Sequence, residues 1–147
     1  MLQDYQRTVS ANVSTEEAYN KIARVSDWWN KKSTGKAREV GDTFKVDFGK
    51  TWVDFKVVEA VQNQRVVWHV EDCHLHFLND PKEWKDTRVI WDVAAVNGTT
   101  TVTMTHAGLT PAVECFEACK AGWNFHVGES LLMLLTEDCG LPDHGKS

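Results

Sequence analysis

The sequence predicts an α+β fold in which a curved antiparallel sheet wraps a long C-terminal helix. Three observations carry this expectation. Short segments with period-two alternation recur between residues 43 and 106, and a long apolar stripe at helical spacing closes the chain. Helical signals elsewhere are confined to a short stretch after the first strand. At 147 residues the chain is sized for one domain, 1–147.

In residues 2–13, Tyr5, Val9, Ala11 and Val13 alternate with Gln6, Thr8, Ser10 and Asn12, as in a half-buried strand. Ser14-Thr15-Glu16-Glu17 reads as a capping box, with Ser14 at the N-cap and Glu17 reaching back. Ala18, Tyr19, Ile22, Ala23 and Val25 then recur at helical spacing to about residue 26, and Asp27 caps a further turn with Trp28 and Trp29. Residues 31–40 are polar and read as a loop. Five strands follow, centred on Phe44/Val46/Phe48, Val53/Phe55/Val57, Val66/Trp68/Val70, Val89/Trp91/Val93 and Val102/Met104/His106, with Asn97-Gly98 as a hairpin turn. They form a meander with one dry face, and the first strand joins them to give six.

Residues 72–86 break the run of short turns. This stretch lacks periodicity but holds Leu75, Phe77, Leu78 and Trp84, which suggests a flap folded over something. In the last helix Thr110 caps, Pro111 takes the first position, and Gly140 with Pro142 stops the run. Its roughly 28 residues would span about 40 Å. The buried stripe carries Phe116, Cys119, Trp123, Val127, Leu131 and Leu134 or Leu135. Gly122 and Gly128 sit mid-helix, each about 1 kcal/mol less favourable than Ala, and mark either close packing or a thin place in a wall.

Composition narrows the function classes. Sixteen Lys and Arg against 21 Asp and Glu give a net charge of −5, and the densest basic group, Lys31, Lys32, Lys36 and Arg38, lies in the polar loop. This argues against nucleic acid and against an anionic membrane surface as partners. No apolar run approaches the ~18–20 residues of a membrane span, and the N-terminal residues lack a basic start followed by an apolar stretch, so a cytoplasmic location is expected. In that setting Cys73, Cys115, Cys119 and Cys139 are expected as reduced thiols. His74 and His76 beside Cys73 invite a metal reading, but no CxxC pair occurs and nothing joins them to Cys115 and Cys119, so no metal or cofactor is assigned. The signatures GxSxG, HExxH, GxGxxG and the P-loop are absent. Asp54 and Asp92 have outward parity, and Glu114, Glu117 and Glu129 are expected in solvent. For acid–base chemistry that leaves His106 and His126, and the sequence does not argue for an enzyme.

Several motifs occur in order: Ser14-Thr15-Glu16-Glu17-Ala18-Tyr19 leading to Asp27-Trp28-Trp29, Val40-Gly41-Asp42-Thr43-Phe44, Val66-Val67-Trp68, Thr105-His106-Ala107-Gly108-Leu109, and Gly122-Trp123 followed by Leu131 and Leu134. In these the chain resembles the START/SRPBCC superfamily, and within it the branch similar to the activator of heat-shock-protein-90 ATPase. The resemblance covers nearly the whole chain. It implies a helix-grip fold, with short helices after strand 1 and a hydrophobic cavity for a small apolar ligand between sheet and helix. It also implies that rare members act as cyclases or aromatases.

Seven Trp and six Phe either fill a thick core or line such a cavity. Strand parity and helix face direct Phe44, Phe48, Phe55, Trp68, Trp91, Met104, Trp123 and Val127 toward the sheet–helix interface, and His106 shares that parity either as a hydrogen-bonded structural residue or as a polar group of the cavity. The expected function is binding of a small hydrophobic molecule behind the 72–86 flap. The alternatives are a protein-interaction domain resembling a co-chaperone and a cyclase-like enzyme.

Overall fold

The computed structural model describes residues 3–142; Leu2, the first residue of the expected opening strand, lies outside them. Strand β1 (Tyr5–Ala11) leads to helices α1 (Thr15–Ile22) and α2 (Val25–Trp28). Strands β2 (Thr34–Gly35), β3 (Thr43–Asp47), β4 (Trp52–Val61), β5 (Arg65–His74), β6 (Arg88–Val96) and β7 (Thr99–Ala107) follow. A terminal helical column consists of α3 (Phe116–Phe125), a π-helical segment (His126–Leu131) and α4 (Leu132–Glu137).

The strands form one antiparallel sheet in the order β1-β7-β6-β5-β4-β3-β2, with β1 on β7 as expected. The count is seven rather than six. The extra strand, β2, lies in the expected loop and pairs Thr34 with Lys45 and Gly35 with Phe44. A two-residue strand has no periodicity to read. Gly35 carries a φ of +103°, and a Cβ there would lie 2.2 Å from the Thr43 carbonyl oxygen, so only glycine fits. Register shifts between Asp54 and Phe55 and between Val57 and Glu59 add bulges that bend β4 and β5 and increase their twist. There strict alternation fails, and Val66, Val67 and Trp68 are all buried in succession.

Helix α1 starts as expected, with the Ser14 hydroxyl accepting the Glu17 amide at 3.0 Å. The Glu17 carboxylate does not reach back, because it takes the Lys21 ammonium at 2.8 Å. Asp27 lies inside α2 and pairs with Arg24 at 2.7 Å instead of capping. The terminal helix begins at Phe116, not Thr110. Its start is set from outside the element: the Glu83 carboxylate accepts the Glu114 and Cys115 amides, both at 2.9 Å. At its far end Asp138, with φ 58°, makes the stop assigned to Gly140. Gly140 is needed for another reason, since a Cβ there would lie 2.3 Å from the Asp27 carbonyl oxygen.

Lys21 joins the first helix to the last. Its buried ammonium donates to the Leu134 carbonyl at 2.9 Å and pairs with Glu17 and with Asp138 at 3.1 Å. Burial pulls the Lys21 pKa down, but the hydrogen bonds to Glu17 and Asp138 outweigh it and leave the value raised. A cation here also meets the unpaired carbonyls and partial negative charge of a helix C-terminus.

The thiol expectation needs correction. Cys115 and Cys119 form a disulfide across one helical turn, with Cα atoms 5.6 Å apart, inside the range such a bond spans. Cys73 is a buried free thiol and Cys139 an exposed one.

Two outcomes are expected. Lys21→Met leaves the helix end and two carboxylates without their cation and lowers stability by about 1.5–3 kcal/mol in a urea titration; a loss below about 0.5 kcal/mol would show that the tie carries no stability. Ellman's reagent labels one thiol, Cys139, in the folded protein, a second, Cys73, after denaturation, and all four only after reduction. Four thiols without reductant would refute the disulfide.

Candidate functional site

Six of the seven tryptophans meet in one interior cluster. Trp29, at the C-terminal edge of α2, lies at its centre. Its ring centroid is 4.7 Å from Trp123 on α3, 5.7 Å from Phe55 on β4 and 6.4 Å from Trp68 on β5, which it stacks upon nearly parallel. Trp91 closes on Trp68 at 5.2 Å and on Trp28 at 5.5 Å. The sheet centre is therefore filled with rings.

The packing ends on one side of Trp123, and there a pocket of about 610 Å³ opens. Trp29 and Val53 lie deep in it. Phe48, Lys50 and Thr51 contribute from the β3–β4 turn, Leu75, His76, Phe77 and Trp84 from the flap, and Ala118, Cys119, Gly122, Trp123 and His126 from the terminal helix. A Cβ at Gly122 would meet nothing within 4 Å, so this glycine is the thin place in the wall. Gly128 is the close-packing case, with a Cβ there falling 2.7 Å from the Arg7 guanidinium.

Of the nine residues directed to a cavity by parity, Phe48 and Trp123 line this pocket. Phe44, Phe55, Trp68, Trp91, Met104, His106 and Val127 are buried in the packed core instead. The physical reason is position along the sheet. Inward residues at its centre meet the helical column, whereas the space lies at the end where turn, flap and α3 converge. Trp29, Leu75, Phe77, Trp84 and His126 are pocket residues that parity did not assign. For the first four the sequence signals are the paired tryptophans after α1 and the apolar residues within the aperiodic flap, and His126 is the residue named with His106 for acid–base chemistry near the cavity.

His106 illustrates the difference. It is fully buried on β7. The Trp123 indole N–H donates to its Nδ1 at 3.1 Å, and because an indole nitrogen can only donate, Nδ1 is the bare nitrogen. Nε2 then carries the proton and donates to the Thr87 hydroxyl at 2.9 Å, and that hydroxyl donates to the Trp84 carbonyl at 2.6 Å. Burial pushes the imidazole pKa down to about 3, so the ring is neutral. His106 thus orients Trp123 and braces Trp84 from behind, and both indoles face the pocket with rings parallel and 5.9 Å apart. It is a positioning residue.

The flap is fastened at two places. The His76 amide donates to the Thr51 hydroxyl at 3.1 Å, which ties it to the β3–β4 turn. At the other end the contacts are reciprocal: Glu83 caps the amides of Glu114 and Cys115, and the Glu114 carboxylate accepts the amides of Asn79 and Asp80, at 2.9 and 3.2 Å. Glu114 is exposed, as expected, yet it holds the flap. The Trp84 indole N–H lies 3.2 Å from the Cys115 sulfur. Among the described residues no group of three or more His, Cys, Asp or Glu converges as a metal site, and no helix is long and apolar enough to cross a membrane.

A curved sheet closed on a C-terminal helix, with a pocket at one end of the seam, defines a helix-grip domain of the START/SRPBCC type. The family model described as "Activator of Hsp90 ATPase homolog 1-like protein" matches residues 17–135, and the chain belongs to that family. Among solved structures it is similar to the Aha1 dimer from Colwellia psychrerythraea, with 24% identity, a TM-score of 0.73, and coverage of 90% of this chain and 95% of that one. It is also similar to protein SSP2350 from Staphylococcus saprophyticus, at 14% identity and a TM-score of 0.70, covering 94% and 95% of the two chains. DynU16, from the dynemicin biosynthetic locus, shares 20% identity at a TM-score of 0.66 over 92% of this chain and 48% of its own. At these identities the likeness concerns the fold. No curated protein sequence matches the chain significantly.

The His106 network has a pH signature. Above pH 6.5 folded and unfolded chains both hold a neutral imidazole. As the pH falls toward 3 the unfolded chain takes up a proton that the folded one refuses, so stability is lost with acidification. The stability advantage of wild type over His106→Gln therefore shrinks by about 1.4 kcal/mol per pH unit between 6.5 and 4, read by urea titrations at each pH. A gap independent of pH would mean that His106 titrates normally in the folded state.

Proposed function

We propose that this chain is a binding domain for a small, largely apolar molecule held in the pocket between the β3–β4 turn, the flap and α3. The observation that carries the reading is the open space over Gly122, beside three tryptophans that face a volume of about 610 Å³. Ligand sites of ~300–1,000 Å³ with apolar and aromatic walls and few polar groups are the usual size and chemistry for small molecules. Family membership supports the reading by fold. A glycine inside a helix is also locally unfavourable by about 1 kcal/mol, and at Gly122 the space it leaves is the only structural return among its surroundings. Phe77 at the rim is 56% exposed, which suits a residue that a ligand would cover.

Gly122→Leu tests this. The neutral fluorescent probe N-phenyl-1-naphthylamine is expected to brighten on binding wild type, and the variant is expected to lose that binding by tenfold or more while keeping or gaining stability, since Leu exceeds Gly in helix propensity by about 0.8 kcal/mol. Equal probe binding by a folded Gly122→Leu variant, or no binding by wild type, would overturn the reading.

A further inference from the structure

The charge around the pocket is unlike that of the chain. With 21 Asp and Glu and a net charge of −5, the protein nevertheless places no carboxylate among the described residues that line the pocket. The charged and titrating side chains there are Lys50 on the β3–β4 turn, His76 on the flap and His126 on the helical column, each neutral or cationic.

Lys50 differs from its neighbours. Lys45 pairs with Asp54 at 3.8 Å and Lys82 with Asp72 at 2.9 Å, and both ammonium groups lie over the Trp52 ring. Among the described residues Lys50 is in no ion pair. The acid nearest in sequence, Asp47, is turned onto its own loop and accepts the Gly49 amide at 2.8 Å. Beside Lys50, the Thr51 hydroxyl accepts the His76 amide at 3.1 Å, which leaves the hydroxyl hydrogen available as a donor. The lining thus includes a lysine in no ion pair and a hydroxyl donor on the β3–β4 turn, together with the indoles of Trp29, Trp84 and Trp123.

We propose that the pocket selects planar aromatic acids, with the ring system against the three indoles and the carboxylate on the Lys50 ammonium and the Thr51 hydroxyl. This rests on the small-molecule reading above and adds the ligand's charge and shape to it. An aromatic ring offers the flat surface that indole walls contact well, and a carboxylate accepts the charge-assisted hydrogen bonds that an unpaired ammonium supplies. A carboxylate-free lining avoids the repulsion that would penalise such a ligand.

The experiment compares 2-naphthoic acid with its neutral isostere 2-naphthamide, using tryptophan fluorescence for direct binding and displacement of N-phenyl-1-naphthylamine for competition. The acid is expected to bind about tenfold more tightly than the amide, a preference that weakens as salt is raised. In Lys50→Gln the acid-to-amide ratio is expected to fall to about one, and Lys50→Arg restores most of it. Binding of the neutral probe with equal affinity for acid and amide would overturn this proposal and leave the small-molecule reading intact. A ratio unchanged in Lys50→Gln would also overturn it. Failure of the probe, the acid and the amide alike to bind would overturn both.

Discussion

The interior is organised around the indole of Trp29. Helix α2 has only four residues, far below the length at which a helix holds itself in water. It stays in place because Trp28 and Trp29 are driven into the concave face of the sheet, where they touch Phe55, Trp68 and Trp91. The same Trp29 ring reaches Trp123 and His126 on the terminal column, so sheet, α2 and column share one contact. Ser130 fixes the junction from its polar side. Its hydroxyl donates to the Trp28 carbonyl and accepts the Leu141 amide at 2.7 Å, which accounts for a serine buried in the π-helical segment. Truncating Trp29 would remove the common partner of three elements and leave a cavity at their junction.

The pocket follows from where the bulk stops. Large side chains fill the sheet centre, but the face of α3 turned to the flap carries Ala118, Cys119 and Gly122, which are too small to close the distance. The flap cannot collapse onto them, because Glu83 and Glu114 hold it to the helix start and Thr51 holds it to the β3–β4 turn. A fixed frame and small residues together leave a space that would otherwise be a packing defect. Trp123 belongs to both regions. One side of its ring packs on Trp29, its N–H is engaged by His106, and it still forms pocket wall.

Alternation exposed the fold readily because it reports which face of a strand is dry, and Phe55, Trp68, Trp91 and Met104 are buried on the side it indicated. It cannot report whether a dry side chain meets another side chain or empty space, which depends on what lies opposite. Of the nine residues directed to a cavity, Phe48, just past the end of β3, and Trp123, at the edge of the ring cluster, border the pocket. The start of α3 was hidden for a related reason. Thr110 and Pro111 are good local starting residues, but the cap comes from Glu83, about thirty positions away, and no local signal reveals such a partner. The expectation of four reduced thiols rests on compartment alone and takes no account of the i, i+4 spacing of Cys115 and Cys119, which places the two within bonding reach across one turn.

The electrostatics of the pocket and the stability of the fold have a common origin. Acidic residues near the pocket are engaged in holding the chain: Glu83 and Glu114 on backbone amides, Asp72 on Lys82, and Asp47 on the Gly49 amide. The Lys82 hydrogen bond also holds the Asp72 carboxyl below its usual range, which keeps it ionised and on its lysine. Carboxylates fixed on amides and lysines are turned away from the space between turn, flap and helix. Among the described residues Lys50, on the turn beside that space, is in no ion pair. A net acidic protein can in this way present a pocket whose described lining holds no carboxylate, without a cluster of basic residues, and its composition alone gives no hint of it.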